Sequence, residues 1–221
     1  MPFGVDEAGK GPVLGSMFAA AVYVPEAAAL PDGIADSKRL APEHREKLAA
    51  TLREDDRFGI GVAEISTGRI DEPTTDMNSL TVEAHANAIE AALEDCALEN
   101  DSVDGLCDAC DTDANRFARR VADAASLSRD LDLEARHGAD DDSPVVGAAS
   151  IVAKVERDAH VAAISEEYGD VGSGYPSDPT TREFLESYVD DHGELPPFAR
   201  SSWSTCEKAL ASAQQTGLEQ F

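Results

Sequence analysis

Lysine is scarce in this chain. Five lysines stand beside 13 arginines and 44 acidic residues in 221 positions, for a formal net charge of −26. The acids are spread along the whole chain and not gathered in a tail. Hydrophobic residues still make up 42%, enough for a real core, so the charge does not mean disorder. Distributed acidity with few lysines points to a cytoplasm very rich in salt, where screening acts over about 3 Å at 1 M. The competing explanation is a cationic partner. At ordinary ionic strength such a charge would argue against nucleic acid, because phosphate contacts supply most of the affinity. In molar salt that contribution is weak for every protein, so the basic positions have to be weighed one by one.

Cysteine is also sparse. Cys96, Cys107, Cys110 and Cys206 are too few for a disulfide scaffold, and reduced thiols are expected. No run reaches the ~18 apolar residues of a membrane span. No basic-plus-apolar leader opens the chain. The expectation is a soluble, cytoplasmic, monomeric protein with no membrane association. Its length fits one large domain, or one domain with an appendage.

What is present has a clear order. "FGVDE", "GSMFAAAVYV" and "RFGIGVAEIS" predict three strands of an antiparallel meander. A helix with Pro42 in its first turn lies between the second and third. Leu80, Ala84, Ala88 and Leu93 recur at helical spacing between Ser79 and Cys96. The strand "GLCDAC", the helix "ANRFARRVADAASL" and the strand "LDLEARH" follow, which implies parallel pairing in the middle of the chain. A long helix is expected from Pro144 to Tyr168, and short helices over 180–190 and 204–214. The fold class is therefore α/β with a mixed sheet.

Several positions can carry chemistry. Asp6 and Glu7 are adjacent on a strand, so on regular backbone only one of them enters a given site; with Gly9 and Gly11 just beyond, an irregular strand end would turn Glu7, or its backbone carbonyl, toward the same metal. Asp108 lies in an apolar strand, where an unpaired carboxylate is costly to bury, and a metal ion or basic partner would rationalise it. Cys107 and Cys110 have C-x-x-C spacing but lack a second pair, so they are read as small core residues. Asp140, Asp141 and Asp142 precede a helix, where capping is their ordinary role. Ser150, Lys154 and Arg157 share one helix face, either solvated or facing phosphates. Lys10, Lys38 and Lys154 account for three of the five lysines, all in these unusual segments. Tyr175 sits on the glycine-flanked turn "GSGYPSDP", placed either to stack on a sugar or base or to anchor the turn in the core.

Five segments in this order, "VDEAGKGPVLG", "DSKRL", "DACDTDANRFAR", "ADDDSPVVGAASIVAKVERD" and "YGDVGSGYPSDP", resemble type 2 ribonuclease H (ribonuclease HII), in particular a salt-adapted archaeal form. The resemblance implies a ribonuclease H-like mixed five-stranded sheet flanked by helices, with a C-terminal helical extension. It places the catalytic domain, with that helical part, at residues 1–205 and a helix end and tail at 206–221. It implies an endonuclease that hydrolyses the RNA strand of RNA–DNA hybrids and incises 5′ of single ribonucleotides embedded in duplex DNA, leaving 5′-phosphate and 3′-OH. Two Mg²⁺ or Mn²⁺ ions would be held by Asp6, Glu7, Asp108 and Asp140. Gly9, Lys10 and Gly11 match the segment whose backbone reads the ribose 2′-OH. Lys10 stands where many relatives have Arg, so the charge is kept without the bidentate fork. Ser37 and Lys38 match phosphate contacts. Ser150, Lys154 and Arg157 match backbone contacts, and Tyr175 matches the tyrosine that packs on the nucleotide 3′ of the ribose. Gly138 stands where relatives have Lys, and the preceding His137 is a candidate for proton transfer. The tail "QTGLEQF" resembles a sliding-clamp-binding box through Gln215, Leu218 and Phe221.

Two other classes compete. Another ribonuclease H-like nuclease, such as a junction resolvase, would share the acids but not Gly9–Gly11 or Tyr175. A non-enzymatic acidic, clamp-associated protein would bind cations without turnover.

Overall fold

The computed structural model describes residues 2–25, 30–34, 40–94, 96 and 102–219, with backbone alone at 216–219. Ser37, Lys38 and Phe221 lie outside the described residues, as does the side chain of Leu218.

The elements in chain order are β1 (Phe3–Ala8), β2 (Met17–Tyr23), α1 (Pro42–Arg53), β3 (Gly59–Ile65), α2 (Thr67–Ile70), α3 (Met77–Leu93), β4 (Ser102–Asp108), α4 (Ala114–Ala124), β5 (Asp130–Arg136), α5 (Ala139–Asp142), α6 (Pro144–Tyr168), α7 (Pro179–His192) and α8 (Ser204–Glu219). The strands form one five-stranded sheet in the order β3-β2-β1-β4-β5. β1 pairs antiparallel with β2, from Phe3↔Tyr23 to Ala8↔Phe18. It pairs parallel with β4 through Phe3↔Gly105 and Val5↔Cys107. β4 pairs parallel with β5 from Ser102↔Asp130 to Asp108↔Arg136. The mixed sheet expected from the sequence is present, with its parallel part in the middle of the chain.

The chain folds as two compact units, Met1–Ala8 with Phe18–Glu64 and Asp76–Glu156, and Gly9–Met17 with Ile65–Thr75 and Arg157–Phe221. In the first, alternation along β1 decides which helix each residue meets. Phe3, Val5 and Glu7 share one face; Gly4 and Asp6 share the other. A Cβ on Gly4 would lie 2.4 Å from the backbone of Val145 and Val146, so only glycine lets α6 approach the strand this closely. The first turns of α6 are apolar all round, and Val145 through Ala153 are all buried. They pack with Ala20, Val22, Leu48, Leu52 and Leu106.

The second unit has a different core. Val13, Leu14, Val171, Leu185, Val189 and Cys206 are buried, with Tyr168, Phe184, Phe198 and Trp203 packed against them. The Tyr168 and Phe198 rings meet edge to face at 4.8 Å. Half of the chain's aromatic residues stand between 168 and 203, which compensates for the small number of aliphatic side chains here.

Abundant aspartate also has local work. Asp76 caps α3 by accepting from the amides of Asn78 and Ser79, Asp113 caps α4 at Arg116, and Asp178 caps α7 at Thr180. The Asp76 cap starts α3 two residues before the expected Ser79. The expected end of α8 at Gln214 is too early; helical backbone continues to Glu219. Asp140, Asp141 and Asp142 form a short helix of their own behind Gly138, which adopts φ +68°. Among the described residues, no helix is long and apolar enough to cross a membrane.

Candidate active site

Asp6 and Asp108 each follow a paired residue at the carboxyl end of neighbouring parallel strands, one step beyond Val5↔Cys107. That is where open α/β sheets place their ligands. β1 stays regular through Ala8, so the adjacent acids part company. Asp6 is buried on the α6 side and accepts a hydrogen bond from the Ser150 hydroxyl. Glu7 lies on the α3 side, where His85 Nε2 donates to its Oε2 at 2.8 Å. His85 is fully buried against the edge of Phe117, and its Nδ1 makes no hydrogen bond. A neutral imidazole with its proton on Nε2 fits both facts.

Asp108 accepts from the Ala139 amide at 2.7 Å and also from Gly138. The αL turn at Gly138 presents these two amides, and the same short helix buries Asp140. The four acids implied by the resemblance lie on β1, β4 and α5: Asp6 and Glu7 on opposite faces of β1, with the charges of Glu7 and Asp140 acting on Asp108.

Burial and neighbouring charge raise two of these carboxyls, Asp6 and Asp108. Burial holds the Asp6 carboxyl well above the ordinary 3.8; the charges of Glu7 and Asp108 add to this, while bonds from Ser150 and the Glu7 amide oppose it. Burial also raises Asp108, as do Asp140 and Glu7, against the pull of the Ala139 and Gly138 amides. Burial, then Glu7 and Asp6, push the Cys107 thiol up. It stays protonated, and both Cys107 and Cys110 are free thiols. The C-x-x-C spacing is thus a buried residue at the strand and a neighbour just past its end.

Carboxylate oxygens of this kind suit a hard divalent cation. Among the described residues, however, no three His, Cys, Asp or Glu side chains stand close enough together to hold a metal ion. Glu7 is instead held by His85 and Asp108 by the Ala139 amide, while the buried Asp140 Oδ1 makes no hydrogen bond.

The α6 stripe divides in use. Lys154 Nζ donates to Ser150 Oγ at 2.7 Å, and Ser150 is fully buried, so this pair supports Asp6. His137 is exposed, with Nδ1 3.1 Å from the Ala109 carbonyl oxygen.

In the second unit, Gly9 has φ +89°, and a Cβ there would sit 3.0 Å from the Ser16 carbonyl oxygen and 3.3 Å from Arg157 Cγ. Tyr175 is 38% exposed, the one large hydrophobic so exposed among the described residues, which removes the core-anchor reading. Its turn is bonded throughout. The Gly174 carbonyl accepts from Val13 and Leu14, the Gly174 amide donates to Thr181 Oγ1, and the Ser173 amide donates to Asp178. Arg157 donates to the Ser173 carbonyl and lies 5.2 Å over the Tyr175 ring. A Cβ on Gly11 would lie 3.4 Å from that ring. Tyr175 therefore presents its ring beside the Gly9–Gly11 segment.

His85 was not singled out from sequence, though a polar residue inside the alanine-rich α3 was a signal. Two residues of the second unit were missed as well: Arg200, which donates to the Gly9, Lys10 and Gly15 carbonyls, and Asp71, which accepts from the Ser201 and Ser202 amides. As one arginine of 13 and one acid of 44, they carried no local signal.

A mixed sheet in this strand order, with carboxylates at the ends of its central strands, is the core of a ribonuclease H-like nuclease. The family model described as Ribonuclease HII matches residues 3–206. Similar curated proteins are "Ribonuclease HII" of Haloarcula marismortui, 59% identical over 221 residues and all of both chains, and of Halobacterium salinarum, 54% identical over 99% of both. Among solved structures, ribonuclease H2 from Pyrococcus horikoshii superposes with a TM-score of 0.84 at 35% identity, over 96% of this chain and 98% of that one. The RNase HII of the PCNA:RNase HII complex from Archaeoglobus fulgidus gives 0.80 at 33% over the whole of both. The chain belongs to the ribonuclease HII family, endoribonucleases that cleave RNA in RNA–DNA hybrids.

The raised carboxyls set a pH dependence. Native Asp6 keeps its proton over a range where the unfolded chain has lost it, so stability is full below about pH 4 and falls as pH rises through the folded value. In molar KCl with a chelator, the melting temperature is expected to fall from pH 5 to pH 8. Mg²⁺ at a hundred times its dissociation constant should restore about 2.7 kcal/mol at pH 8. Asp6→Asn should flatten the pH dependence; an unchanged slope in that variant would remove Asp6 as its source.

Proposed function

We propose that this chain incises duplex DNA 5′ of single embedded ribonucleotides, as well as cutting RNA–DNA hybrids, by metal-dependent phosphodiester hydrolysis that leaves 5′-phosphate and 3′-OH. The observation that carries the reading is the pair of carboxyls one step beyond the last β1–β4 pair, Asp6 and Asp108, with Asp6 held above its ordinary range by burial and like charge. Asp6, Glu7, Asp108 and Asp140 would hold two Mg²⁺ or Mn²⁺ ions, which when bound supply an activated water and a stabilised leaving 3′ oxygen. The protein's own part is orientation. Ser150 and Lys154 steady Asp6, His85 steadies Glu7, and the Gly138 and Ala139 amides steady Asp108.

Substrate recognition falls to the segments the family resemblance named. Gly9, Lys10 and Gly11 would meet the ribose 2′-OH through their backbone, and Tyr175 would pack on the next nucleotide. Lys154, Arg157, Ser37 and Lys38 would face phosphates. With a charge of −26, this division suits a protein that draws little affinity from phosphate and more from the sugar. The tail after residue 205 would carry the clamp box; Gln215 is exposed on α8. The solved complex of PCNA with the Archaeoglobus fulgidus relative supports a clamp partner. The setting would be a salt-rich cytoplasm.

The test is incubation in molar KCl with Mg²⁺ or Mn²⁺ and duplex DNA carrying one ribonucleotide. The expected product is a single nick 5′ of the ribonucleotide, with all-DNA duplex untouched. Asp108→Asn should fold normally and lose activity by about a hundredfold or more. No nick, or equal cutting of all-DNA duplex, would falsify the reading. In Tyr175→Ala, loss of one stacking contact should slow single-ribonucleotide cutting by about tenfold. Cutting of long hybrids should fall less; equal losses on both substrates would contradict a junction role for the ring.

A further inference from the structure

Arg200 is the largest fully buried side chain described, and its guanidinium is committed to backbone. Nε donates to the Gly15 carbonyl at 3.0 Å, one terminal nitrogen to Lys10 at 2.9 Å and the other to Gly9 at 2.5 Å. Among the described residues no carboxylate pairs with it. Burial pushes its pKa down to about 10, Tyr175 opposes that, and Arg157 adds to it. It remains a cation at neutral pH.

Arg200 is itself held from several sides. Its amide donates to the Val13 carbonyl at 2.9 Å, and its guanidinium lies 5.1 Å from the Trp203 ring centre. The next two residues are tied to Asp71, whose Oδ2 accepts from the Ser201 amide at 2.7 Å and Oδ1 from the Ser202 amide at 3.0 Å. A fork so fixed costs little further ordering when it grips a loop.

Planarity gives the grip a consequence. In a trans peptide the N–H points opposite to the C=O. Holding the Lys10 carbonyl on Arg200 aims the Gly11 N–H away from Arg200, and holding the Gly9 carbonyl does the same for the peptide before it. Gly11 is exposed beside the Tyr175 ring, and its amide has no partner among the described residues. A fixed, exposed backbone donor next to an exposed aromatic face suits an oxygen attached to a sugar that stacks there.

We propose that Arg200 is the positioning residue for ribose recognition: by gathering the Gly9 and Lys10 carbonyls it aims the Gly11 amide at the 2′ oxygen. The inference rests on the reading of Gly9–Gly11 as the ribose-sensing segment. Arg200 touches no substrate. Its contribution is discrimination between ribose and deoxyribose, not turnover chemistry.

The test measures binding in the silent Asp108→Asn background, in molar KCl with Mg²⁺, by fluorescence anisotropy. Two duplexes are compared, identical except for one ribonucleotide. Arg200→Lys keeps the charge but cannot reach three carbonyls in one plane. It should reduce the ribo-over-deoxy preference by about tenfold, the worth of one well-placed hydrogen bond, and leave all-DNA affinity nearly unchanged. A fold staple alone would weaken both duplexes together or neither, and either pattern overturns the proposal.

Gly9→Ala separates the two layers, because φ +89° is strained for alanine and the segment deforms directly. If Gly9→Ala removes the preference while Arg200→Lys keeps it, only the role of Arg200 is lost. If Gly9→Ala keeps the preference, the reading of the segment falls too. Should Arg200→Lys fail to fold, the Arg200 Nε–H resonance of the Asp108→Asn protein answers the question. It is expected to shift with the ribonucleotide duplex and not with all-DNA duplex; identical responses would overturn the proposal.

Discussion

Carboxylates that repel one another, yet are fixed in place by a sheet, are the constraint on which the rest of the first unit depends. β1 and β4 run parallel and in register, so Asp6 and Asp108 follow their last shared pair, Val5↔Cys107, side by side. Neither can move away without breaking the ladder. The fold answers with donors for three of the acids: Ser150 backed by Lys154 for Asp6, His85 for Glu7, and the paired amides of the Gly138 turn for Asp108. These donors orient the charges without neutralising them, and the raised carboxyls of Asp6 and Asp108 record what is left over. Gly4 belongs to the same solution. By letting α6 close onto β1, it brings Ser150 to the one face of the strand where Asp6 points.

The second unit solves a different problem. On the proposed reading the working surface there is backbone, and backbone has no rotamer to select. Its direction must be set by what holds the carbonyls. Arg200 does this for Gly9, Lys10 and Gly15, and the Asp178 and Thr181 bonds do it for the Tyr175 turn. Molar salt would favour such contacts. Screening over about 3 Å leaves short hydrogen bonds intact while it removes long-range attraction to phosphate. The high acidity and the 59% and 54% identities to proteins from Haloarcula and Halobacterium agree with that setting.

Much of this was legible in the sequence, for reasons that can be named. Strand alternation alone separates Asp6 from Glu7, and the structure puts them on opposite faces. The apolar company of Asp108 marked it as a carboxylate in need of company. Other features depend on tertiary contacts that no local pattern encodes. Spacing put Ser150 on a polar helix face, yet it is buried because β1 presents Asp6 there. The turn around Tyr175 was ambiguous between core and surface until its exposure was known. Arg200 is invisible locally, since its partners are carbonyls some 190 residues earlier in the chain and carbonyls leave no mark on a sequence.

The central claim is that the four acids act as one cation-binding group. Calorimetric titration of Mn²⁺ into the intact protein and into Asp108→Asn, both in molar KCl, tests it most directly. Saturable binding to the intact protein, weakened about tenfold or more in the variant, is the expected result. Equal binding by the two proteins, or none by either, would contradict it.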